Sequence, residues 1–362
     1  MNKPKIRFKG FEGEWKDSML SDFSYSICSG RDTAHKGIYP LYGSTGIIGT
    51  TNKPSYNGAM LLVARVGANA GKLQIINEEC GVSDNTLIIK PNGNISVSWL
   101  YYYLVHCNLN HLVYGSGQPL ITGYMLKRIP ILLGSKKECD EIASYFTSLD
   151  AQIAASTSRL SSLKQIKAAS LLNMFPQKGE MVPRVRFKGF QGEWKEIKLG
   201  EIFSVEIGEF VIKTKQKNNA PYPVYNGGVS NTGFYDCYNQ EGPKIIVSAR
   251  GANAGYVNYC TTDFWAGNSC YSIGAKNNDE LKFFFYFLKR FQEIYMKNQY
   301  SASIPSISKQ QILRTNLIYP SLPEQRAIAS YFTALDAQIT LQRERLEKLK
   351  QIKAACLEKM FA

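Results

Sequence analysis

Two glycine-rich segments carry the side chains best suited to contact a ligand. They read ARVGANAGK and SARGANAG, and each sets an arginine (Arg65, Arg250) beside a tight turn with a central asparagine (Asn69, Asn253). Glycine lets a backbone approach a ligand closely, arginine can bond a guanine edge with two hydrogen bonds, and asparagine can do the same with adenine. The pattern predicts contact with DNA bases. Contact with phosphates alone, or a purely structural turn, are the open alternatives.

Other polar loops extend this set of candidate DNA contacts. The segments YGSGQP and YSASIP, one in each half of the chain, are polar and contain turn residues. Lysines and arginines near such loops attract phosphates independently of base sequence, and salt weakens that attraction. The predicted DNA-contacting residues are Ser44, Thr45, Arg65, Asn69, Lys72, Ser116, Gln118, Asn226, Arg250, Asn253, Ser301 and Ser303.

Motifs for enzymatic chemistry are incomplete in this sequence. GANAGKL resembles a phosphate-binding loop, but Gly67 and Gly71 are one residue too close together, and Leu73 stands where a serine or threonine must hold magnesium. NAPY approaches the N-P-P-Y motif of amino-methyltransferases, yet Ala220 breaks it and no glycine-rich fingerprint accompanies it. The sequence therefore predicts no nucleotide or methyl-donor site in this chain.

The histidines do not suggest a metal site. His35, His106 and His111 all lie in the first half and form no H-E-x-x-H or similar set. A G-x-S-x-G nucleophile motif is also missing from the sequence. We therefore predict no catalytic residue and no metal ligand.

The charge balance points to a polyanionic partner. The 362 residues include 43 Lys plus Arg against 29 Asp plus Glu, which gives a formal net charge of +14. Such an excess favours nucleic acid as the first candidate partner. An ordinary charged surface on a soluble protein is the alternative on charge alone. The apolar fraction of 44% predicts a folded globular chain rather than a disordered one.

The cysteines and the apolar runs indicate a cytoplasmic protein. The eight cysteines are scattered without a C-x-x-C pair, as expected for reduced thiols rather than for zinc ligands or a disulfide scaffold. The first residues lack the apolar stretch of a signal peptide, and no run approaches the roughly 18 apolar residues of a membrane span. We therefore expect no membrane partner.

The chain contains one unit twice. RFKGFEGEW starts at Arg7 and returns as RFKGFQGEW at Arg186, and IASYFTSLDAQI returns with Ser148 replaced by Ala334. The matching segments lie 179 to 186 residues apart, so the chain is an internal pseudo-dimer rather than a solenoid. The last part of each copy, its tail, is nearly identical in the two copies, whereas the region between the opening phrase and the tail, its middle, differs widely. We interpret this as two middle regions with different tasks on a shared frame, the alternative being a duplication that only doubled a stable fold.

The two tails are predicted to be long helices that pair along an apolar seam. Apolar residues alternate at spacings of three and four, which is typical of a coiled coil. Matching stripes and the internal repeat favour an antiparallel pair, while separate helices packed on their own domains are the alternative. The seam residues are Ile142, Phe146, Leu149, Ile153, Leu160, Leu163, Ile328, Phe332, Leu335, Ile339, Leu346 and Leu349. The same register places polar residues at Ser156, Lys167, Gln342 and Lys353.

The middle regions are predicted to be α/β. Short β-rich runs such as AMLLVARV, TLIIK and KIIVSAR are interrupted by glycine and asparagine turns. The aromatic runs WLYYYLVHCNL and LKFFFYFLKRF are typical of buried helices. Each middle is therefore expected to fold as a compact α/β unit with exposed polar loops.

Four motifs occur in one order, twice over: RFKGF-x-GEW, a P-x-Y segment, GANAG, and E-x-x-x-IA-x-YF-x-x-LD-x-QI. The doubled set resembles the specificity subunit of type I restriction-modification systems and covers essentially the whole chain. The resemblance implies an α/β fold with two pseudo-symmetric target recognition domains, 1–135 and 180–320. Two long helices, residues 138–175 and 324–361 within the segments 136–179 and 321–362, would separate them as an antiparallel coiled coil.

The resemblance also implies function and partners. Each recognition domain would read one half of a bipartite, asymmetric DNA site, and the helices would fix the spacer and dock the methyltransferase subunits. The partners would be double-stranded DNA, two methyltransferase subunits and, when restriction occurs, restriction subunits. S-adenosylmethionine, ATP and magnesium are expected in those partner subunits, with no cofactor and no catalysis in this chain. A stand-alone nuclease or methyltransferase and a non-specific DNA-binding scaffold are the alternatives.

One departure separates the two copies of the tail. KKECDEIASYF in the first copy faces LPEQRAIASYF in the second, so Cys139 and Asp140 replace Gln325 and Arg326. Any polar contact made by that second pair is therefore expected on one side only.

Overall fold

The computed structural model describes residues 3–112, 119–275, 280–297 and 305–361. Contacts between residues divide the chain into two compact units. The first unit comprises Met1–Ser158 with Arg343–Ala362, and the second comprises Arg159–Gln342. The division falls inside both long helices, so each unit contains a stretch of each helix.

The first unit combines three small sheets with an aromatic helix. Its elements are β1 (Lys16–Met19), β2 (Ser24–Ser29), β3 (Tyr39–Gly43), β4 (Gly46–Thr51), β5 (Ala59–Ala64), β6 (Leu73–Asn77), β7 (Gly81–Val82), β8 (Thr86–Pro91), α1 (Val97–His106), α2 (Gly123–Lys127), β9 (Pro130–Leu133) and α3 (Lys136–Asn173), which continues into the second unit. The largest sheet has the strand order β2-β8-β5-β6, a second has the order β4-β3-β7, and β1 pairs with β9.

The second unit repeats this arrangement. Its elements are β10 (Lys195–Lys198), α4 (Leu199–Ile202), β11 (Phe203–Ile207), β12 (Tyr222–Tyr225), β13 (Gly233–Tyr235), β14 (Lys244–Ser248), β15 (Val257–Cys260), β16 (Trp265–Ala266), β17 (Cys270–Ala275), α5 (Leu281–Lys297), α6 (Lys309–Leu313), β18 (Asn316–Tyr319) and α7 (Leu322–Lys359). The strand orders β11-β17-β14-β15, β13-β12-β16 and β10-β18 match those of the first unit strand for strand. The α/β class and the internal pseudo-symmetry are therefore confirmed.

Each core forms where the aromatic helix packs on the four-stranded sheet. In the first unit, Trp99 of α1 shares a buried cluster with Leu61 of β5 and Ile89 of β8. In the second, Phe283 of α5 shares one with Ile273 of β17. Burial of such side chains is the main source of folding free energy, so the aromatic runs of the sequence fix the helix on its sheet.

The long helices run antiparallel within each unit. In the first unit, the Tyr145 hydroxyl lies 3.4 Å from Cys356 Sγ. Five residues further along α3, Asp150 accepts from Lys353, which lies three residues earlier on α7. The second unit has the equivalent contact of Ser170 with Tyr331, at 2.9 Å between the hydroxyl oxygens. The predicted antiparallel helix pair is confirmed.

The helices begin slightly earlier than the sequence suggested. We expected residues 138–175 and 324–361, whereas both helices start and end two residues sooner. Pro323 lies in the first turn of α7, where a proline costs no intrahelical hydrogen bond. Phe175 and Phe361 follow the helices instead of ending them, and each is buried.

Nine of the predicted seam residues are buried and three are half-buried. The buried ones are Ile142, Phe146, Leu149, Leu160, Ile328, Phe332, Leu335, Ile339 and Leu346. The half-buried ones are Ile153, Leu163 and Leu349. The polar register positions Ser156 and Gln342 are 5% and 8% exposed, and Lys167 and Lys353 are half-buried.

The repeated RFKGF phrase is held by a buried ion pair. Arg7 Nε and Nη2 donate to the two carboxylate oxygens of Glu138, at 2.7 and 2.8 Å. Arg186 makes the same pair of contacts with Glu324, also at 2.7 and 2.8 Å. Each arginine also donates to two carbonyls of its own phrase, which closes the turn around the glycines. The phrase therefore recurs because it clamps the start of each long helix.

The residues after these glutamates differ between the units, as the sequence indicated. Gln325 is 3% exposed, and its Nε2 donates to the Pro320 carbonyl at 3.0 Å. Cys139 is equally buried, and burial raises the pKa of its thiol to about 12. The buried thiol of Cys139 therefore occupies the position at which Gln325 donates a hydrogen bond in the second unit.

Candidate nucleic-acid interface

The glycine-rich loop of the first unit is closed by its own backbone. The Ala70 amide donates to the Gly67 carbonyl, and the Gly71 amide donates to the Ala64 carbonyl, both at 2.9 Å. Gly67 and Gly71 have φ of 76° and 89°, a region that other residues rarely adopt. The Gly67 amide reaches outward to the Pro119 carbonyl at 3.1 Å. The glycines are therefore required by the turn itself.

The second unit builds the same loop with the same hydrogen bonds. The Ala254 amide donates to the Gly251 carbonyl at 2.9 Å, and the Gly255 amide donates to the Ser248 carbonyl at 2.7 Å. The Gly251 amide donates to the Pro305 carbonyl at 2.9 Å, as Gly67 does to Pro119. Gly251 and Gly255 both have φ of 85°. Two independent units thus present one loop geometry.

A second segment joins each loop. The Ile121 amide donates to the Arg65 carbonyl at 2.8 Å, and the Ile307 amide donates to the Ala249 carbonyl at 2.9 Å. The chain just after the YGSGQP and YSASIP segments therefore lies against the glycine-rich loops. The predicted contacts Ser116, Gln118, Ser301 and Ser303 lie outside the described residues.

The two arginines have different surroundings. Arg250 is exposed, whereas Arg65 is half-buried and its Nη1 lies 3.4 Å from the Asp84 carbonyl. Arg65 Nε is buried and finds no hydrogen-bond partner among the described residues. Lys72 is exposed beside the first loop, and Asn69 is half-buried, as is Asn253 in the second unit. Arg250 is therefore the more accessible arginine of the two.

Asn226 joins its own loop to the glycine-rich loop of the second unit. Its Oδ1 accepts from the Ser269 amide at 3.2 Å, and the Ser269 carbonyl accepts from the Ala249 amide at 2.8 Å. Asn226 is therefore linked through Ser269 to Ala249, the residue before Arg250, and uses its oxygen to hold the turn. In the first unit, Ser44 and Thr45 form the turn between β3 and β4, half-buried and exposed respectively.

A groove lies beside the glycine-rich loop of the first unit. Its volume is about 450 Å³, and its lining includes Asn69, Lys72, Tyr101 and Val105. Tyr102 of α1 and Tyr286 of α5 make equivalent hydrogen bonds to Asp150 and Asp336. Val105 and Lys289 each lie three residues after these tyrosines, so they occupy corresponding positions on the two helices.

Lys289 occupies the corresponding region of the second unit. Its ammonium donates to the Val257 carbonyl and to Gln292 Oε1, each at 2.7 Å, and lies 3.9 Å from the Tyr256 ring centroid. Burial lowers the pKa of the Lys289 ammonium to about 8, and the positive charge of Lys167 acts in the same direction. The loops share a backbone but not their surroundings.

Phe210 is an exposed aromatic residue that is absent from the predicted DNA contacts. This ring is 72% exposed in the loop between β11 and β12 of the second unit. The signal available was FVIKTKQK, an aromatic residue followed by lysines at every second position, 213, 215 and 217. Aromatic residues interleaved with basic ones are typical of nucleic-acid contacts.

The described residues contain neither a clustered metal site nor a membrane-spanning helix. No group of three His, Cys, Asp or Glu side chains in residues 3–112, 119–275, 280–297 and 305–361 is arranged to hold a metal ion. In the same part of the chain, no helix is both long enough and apolar enough to span a bilayer.

Two stretches of the chain match one family model. Residues 12–165 and 191–351 each fit the type I restriction modification DNA specificity domain. The chain belongs to this family. Its two DNA specificity domains, defined here as those two stretches, each contain one glycine-rich loop. The resemblance carried by the doubled sequence motifs is therefore confirmed.

Individual relatives and solved structures agree with this membership. A Mycoplasma genitalium protein named as a type I specificity subunit is 23% identical over 303 residues, 82% of this chain and 79% of that protein. The crystal structure of a type I restriction-modification S subunit from M. genitalium has a TM-score of 0.76 at 20% identity and covers 99% of both chains. A chain from a structure on complex assembly and conformational transition of the type I system has a TM-score of 0.54 at 15% identity, covering 98% of this chain and 99% of that one. At these identities the solved structures show a shared fold.

Proposed function

We propose that this chain is the DNA-recognition subunit of a type I restriction-modification complex. Each DNA specificity domain reads one half of a bipartite, asymmetric site through its glycine-rich loop and the loops beside it. The observation that carries the proposal is that both units repeat one loop backbone. The Gly67 amide donates to the Pro119 carbonyl, and the Gly251 amide donates to the Pro305 carbonyl. The side chains that flank the two loops differ. A shared frame with different side chains is what two different half-sites require.

The charge of the chain supports binding to duplex DNA. With a net charge of +14, the protein attracts phosphates at long range, and salt weakens that attraction. Phosphate contacts fix orientation, and base contacts supply selectivity. Arg250 and Lys72 are both exposed beside a glycine-rich loop, which supports these roles for them.

The long helices support the second part of the proposal. Both α3 and α7 contribute residues to each unit, so the helix length sets the spacer between the two half-sites. The same helices dock two methyltransferase subunits, and restriction subunits join when DNA is cut. The similar chain with a TM-score of 0.54 comes from work on assembly of a type I complex, which agrees with such docking.

The chain itself performs no catalysis under this proposal. S-adenosylmethionine serves the methyltransferase subunits, while ATP and magnesium serve the restriction subunits. The incomplete phosphate-loop and N-P-P-Y motifs support this division of labour. Purified chain mixed with S-adenosylmethionine or magnesium should leave DNA unmodified, and any methylation or cleavage would assign the activity to this chain.

A domain exchange tests the reading of half-sites. Residues 17–135 are replaced by the matching region of another family member, the chain is expressed with its methyltransferase, and methylated positions are mapped in host DNA. One half-site should change while the other half-site and the spacer stay the same. A change in both halves, or in neither, would contradict the proposal.

An insertion tests the role of the helices. One heptad is added to α3 and one to α7 at equivalent positions near the middle of each helix, which preserves the seam. At 1.5 Å per residue this lengthens each helix by about 10 Å, or about three base pairs of DNA. The mapped spacer should grow by about that amount, with both half-sites unchanged.

A further inference from the structure

Phe210 stands out in the second unit as an apolar ring presented to solvent. It is 72% exposed, while its neighbour Val211 is only 8% exposed. A single exposed hydrophobic residue is ordinary on a protein surface. Phe210 differs from such a residue in the backbone contacts that fix its loop and in the basic residues that follow it.

The loop holds the residues on both sides of Phe210. The Glu209 amide donates to the Ala266 carbonyl at 2.8 Å. Val211 is buried in a small cluster with Val224 and Tyr235. The Tyr235 hydroxyl accepts from the Ile212 amide at 2.7 Å and donates to the Ile212 carbonyl at 2.9 Å. Because the backbone is fixed on either side, the ring can meet a ligand at little entropic cost.

The loop that carries Phe210 packs against the loops predicted to contact bases. A Cβ added at Gly267 would come within 2.7 Å of Val211 Cγ2 and 2.3 Å of Asn226 Oδ1, so Gly267 packs between these two residues. A Cβ added at Gly227 would lie 3.3 Å from the Arg250 carbonyl. The Phe210 loop, Asn226 and Arg250 therefore belong to one packed region of the second unit, joined through Gly267 and Gly227.

The surrounding charge favours a polyanion over an apolar protein surface. Lys213 and Lys215 are exposed in the turn that follows Phe210. Lys217, at the next alternate position, forms an ion pair with Asp236. Basic side chains beside a ring are the combination that contacts phosphates and bases together.

The first unit lacks this ring at the matching position. The Asp32 amide donates to the Val82 carbonyl at 3.0 Å, as Glu209 does to Ala266, so Thr33 corresponds to Phe210. The Thr33 hydroxyl lies 3.0 Å from His35 Nε2. The feature therefore belongs to one half of the molecule and provides its own control position.

We propose that Phe210 inserts its ring between two base pairs of the duplex bound by the second DNA specificity domain, unstacking that step. Apolar wedges held beside basic residues kink DNA in this way, and the unstacking energy makes the contact depend on the base step. The inference rests on the proposed function and adds a specificity-determining residue to it.

The test uses the full-length chain and duplexes that the wild-type chain enriches from a random library. 2-Aminopurine is placed at successive positions of the half-site, since its fluorescence rises when it is unstacked. The variants are Phe210→Ala, Phe210→Trp and the matched control Thr33→Ala. Urea unfolding midpoints of all variants verify that the fold is unchanged.

We expect a severalfold fluorescence rise at one step with wild type, Phe210→Trp and Thr33→Ala. Phe210→Ala should lose that rise and bind about tenfold or more weakly, the loss typical of one base–aromatic contact. Unchanged affinity and fluorescence in Phe210→Ala would overturn the inference while the proposed function stands. Loss of co-purification with the methyltransferase, with DNA binding intact, would instead assign the ring to a protein contact. If wild type enriches no sequence, the proposed function falls and this inference with it.

Discussion

Lys353 donates a hydrogen bond from its ammonium to the carboxylate of Asp150, 203 residues earlier in the chain. The Tyr102 hydroxyl donates to the other oxygen of Asp150 at 2.9 Å, and Lys353 lies 5.6 Å from the Tyr102 ring centroid. The three side chains connect α7, α3 and α1 within the first unit. The second unit repeats the set with Lys167, Asp336 and Tyr286.

This contact should contribute to the helix pairing. Asp150→Asn, Lys353→Met and the double variant form a cycle, read by urea unfolding. Both side chains are partly exposed, at 36% and 23%, so we expect a coupling of about 0.5–1 kcal/mol. The same cycle on Asp336 and Lys167 is the matched control and should give a similar value. A coupling of zero in both units would mean that the seam alone sets the pairing.

Loss of Arg186 should destabilise the second unit strongly. Glu324 is 2% exposed at its side chain, and Arg186→Met would leave that carboxylate buried without its partner. Removing one member of a buried pair costs about 3–5 kcal/mol, measurable as a lower urea midpoint. Arg186→Met with Glu324→Gln should recover a large part of the loss, and Lys188→Met, an exposed lysine of the same phrase, should change little. Equal effects of Arg186→Met and Lys188→Met would contradict the role of the ion pair.

Arg250 and Lys72 should weaken DNA binding in different ways. If Arg250 reads a base, Arg250→Ala costs about 1–3 kcal/mol for the enriched duplex and much less for a random one. If Lys72 contacts a phosphate, Lys72→Ala weakens both duplexes equally and lowers the slope of affinity against salt by about one. Titrations of both duplexes at several salt concentrations separate the two behaviours. A uniform loss for Arg250→Ala would reassign that residue to phosphate contact.

Lys289 should make the stability of the second unit depend on pH. Burial lowers the pKa of its ammonium from 10.5 to about 8, so between these values the folded protein binds fewer protons than the unfolded chain. The free energy of unfolding contributed by Lys289 therefore rises with pH through this window and is lowest below pH 8. From pH 7 to 9, wild type should gain about 1 kcal/mol relative to Lys289→Met.

The control for this pH effect is a lysine in open solvent. Lys188→Met, whose side chain is exposed, should follow wild type at every pH. Comparing wild type with each variant at the same pH cancels the titration of tyrosines and cysteines, which change stability in alkaline solution. A constant difference between wild type and Lys289→Met from pH 7 to 9 would show that Lys289 titrates normally.

The repeat and the aromatic runs made most of the fold predictable. RFKGF-x-GEW, GANAG and the helical tail recur in one order, and β-rich runs and aromatic helices alternate between them. The ion pairs of Arg7 and Arg186 were not predictable, because each partner glutamate lies 131 or 138 residues away in the chain. The glycine spacing showed a turn, but the bond from Gly67 to Pro119 required the folded chain.

By itself, the sequence determined the duplicated architecture, the paired helices and the family, because these depend on periodic apolar burial and on motifs repeated in order. Only the tertiary structure decided which side chains stand together. Contacts between distant segments leave Arg250 exposed while Arg65 is half-buried, and they hold Lys289 in its hydrogen bonds. They also fix the backbone beside Phe210. Local pattern specifies elements, whereas burial and charge at a surface arise only when those elements pack.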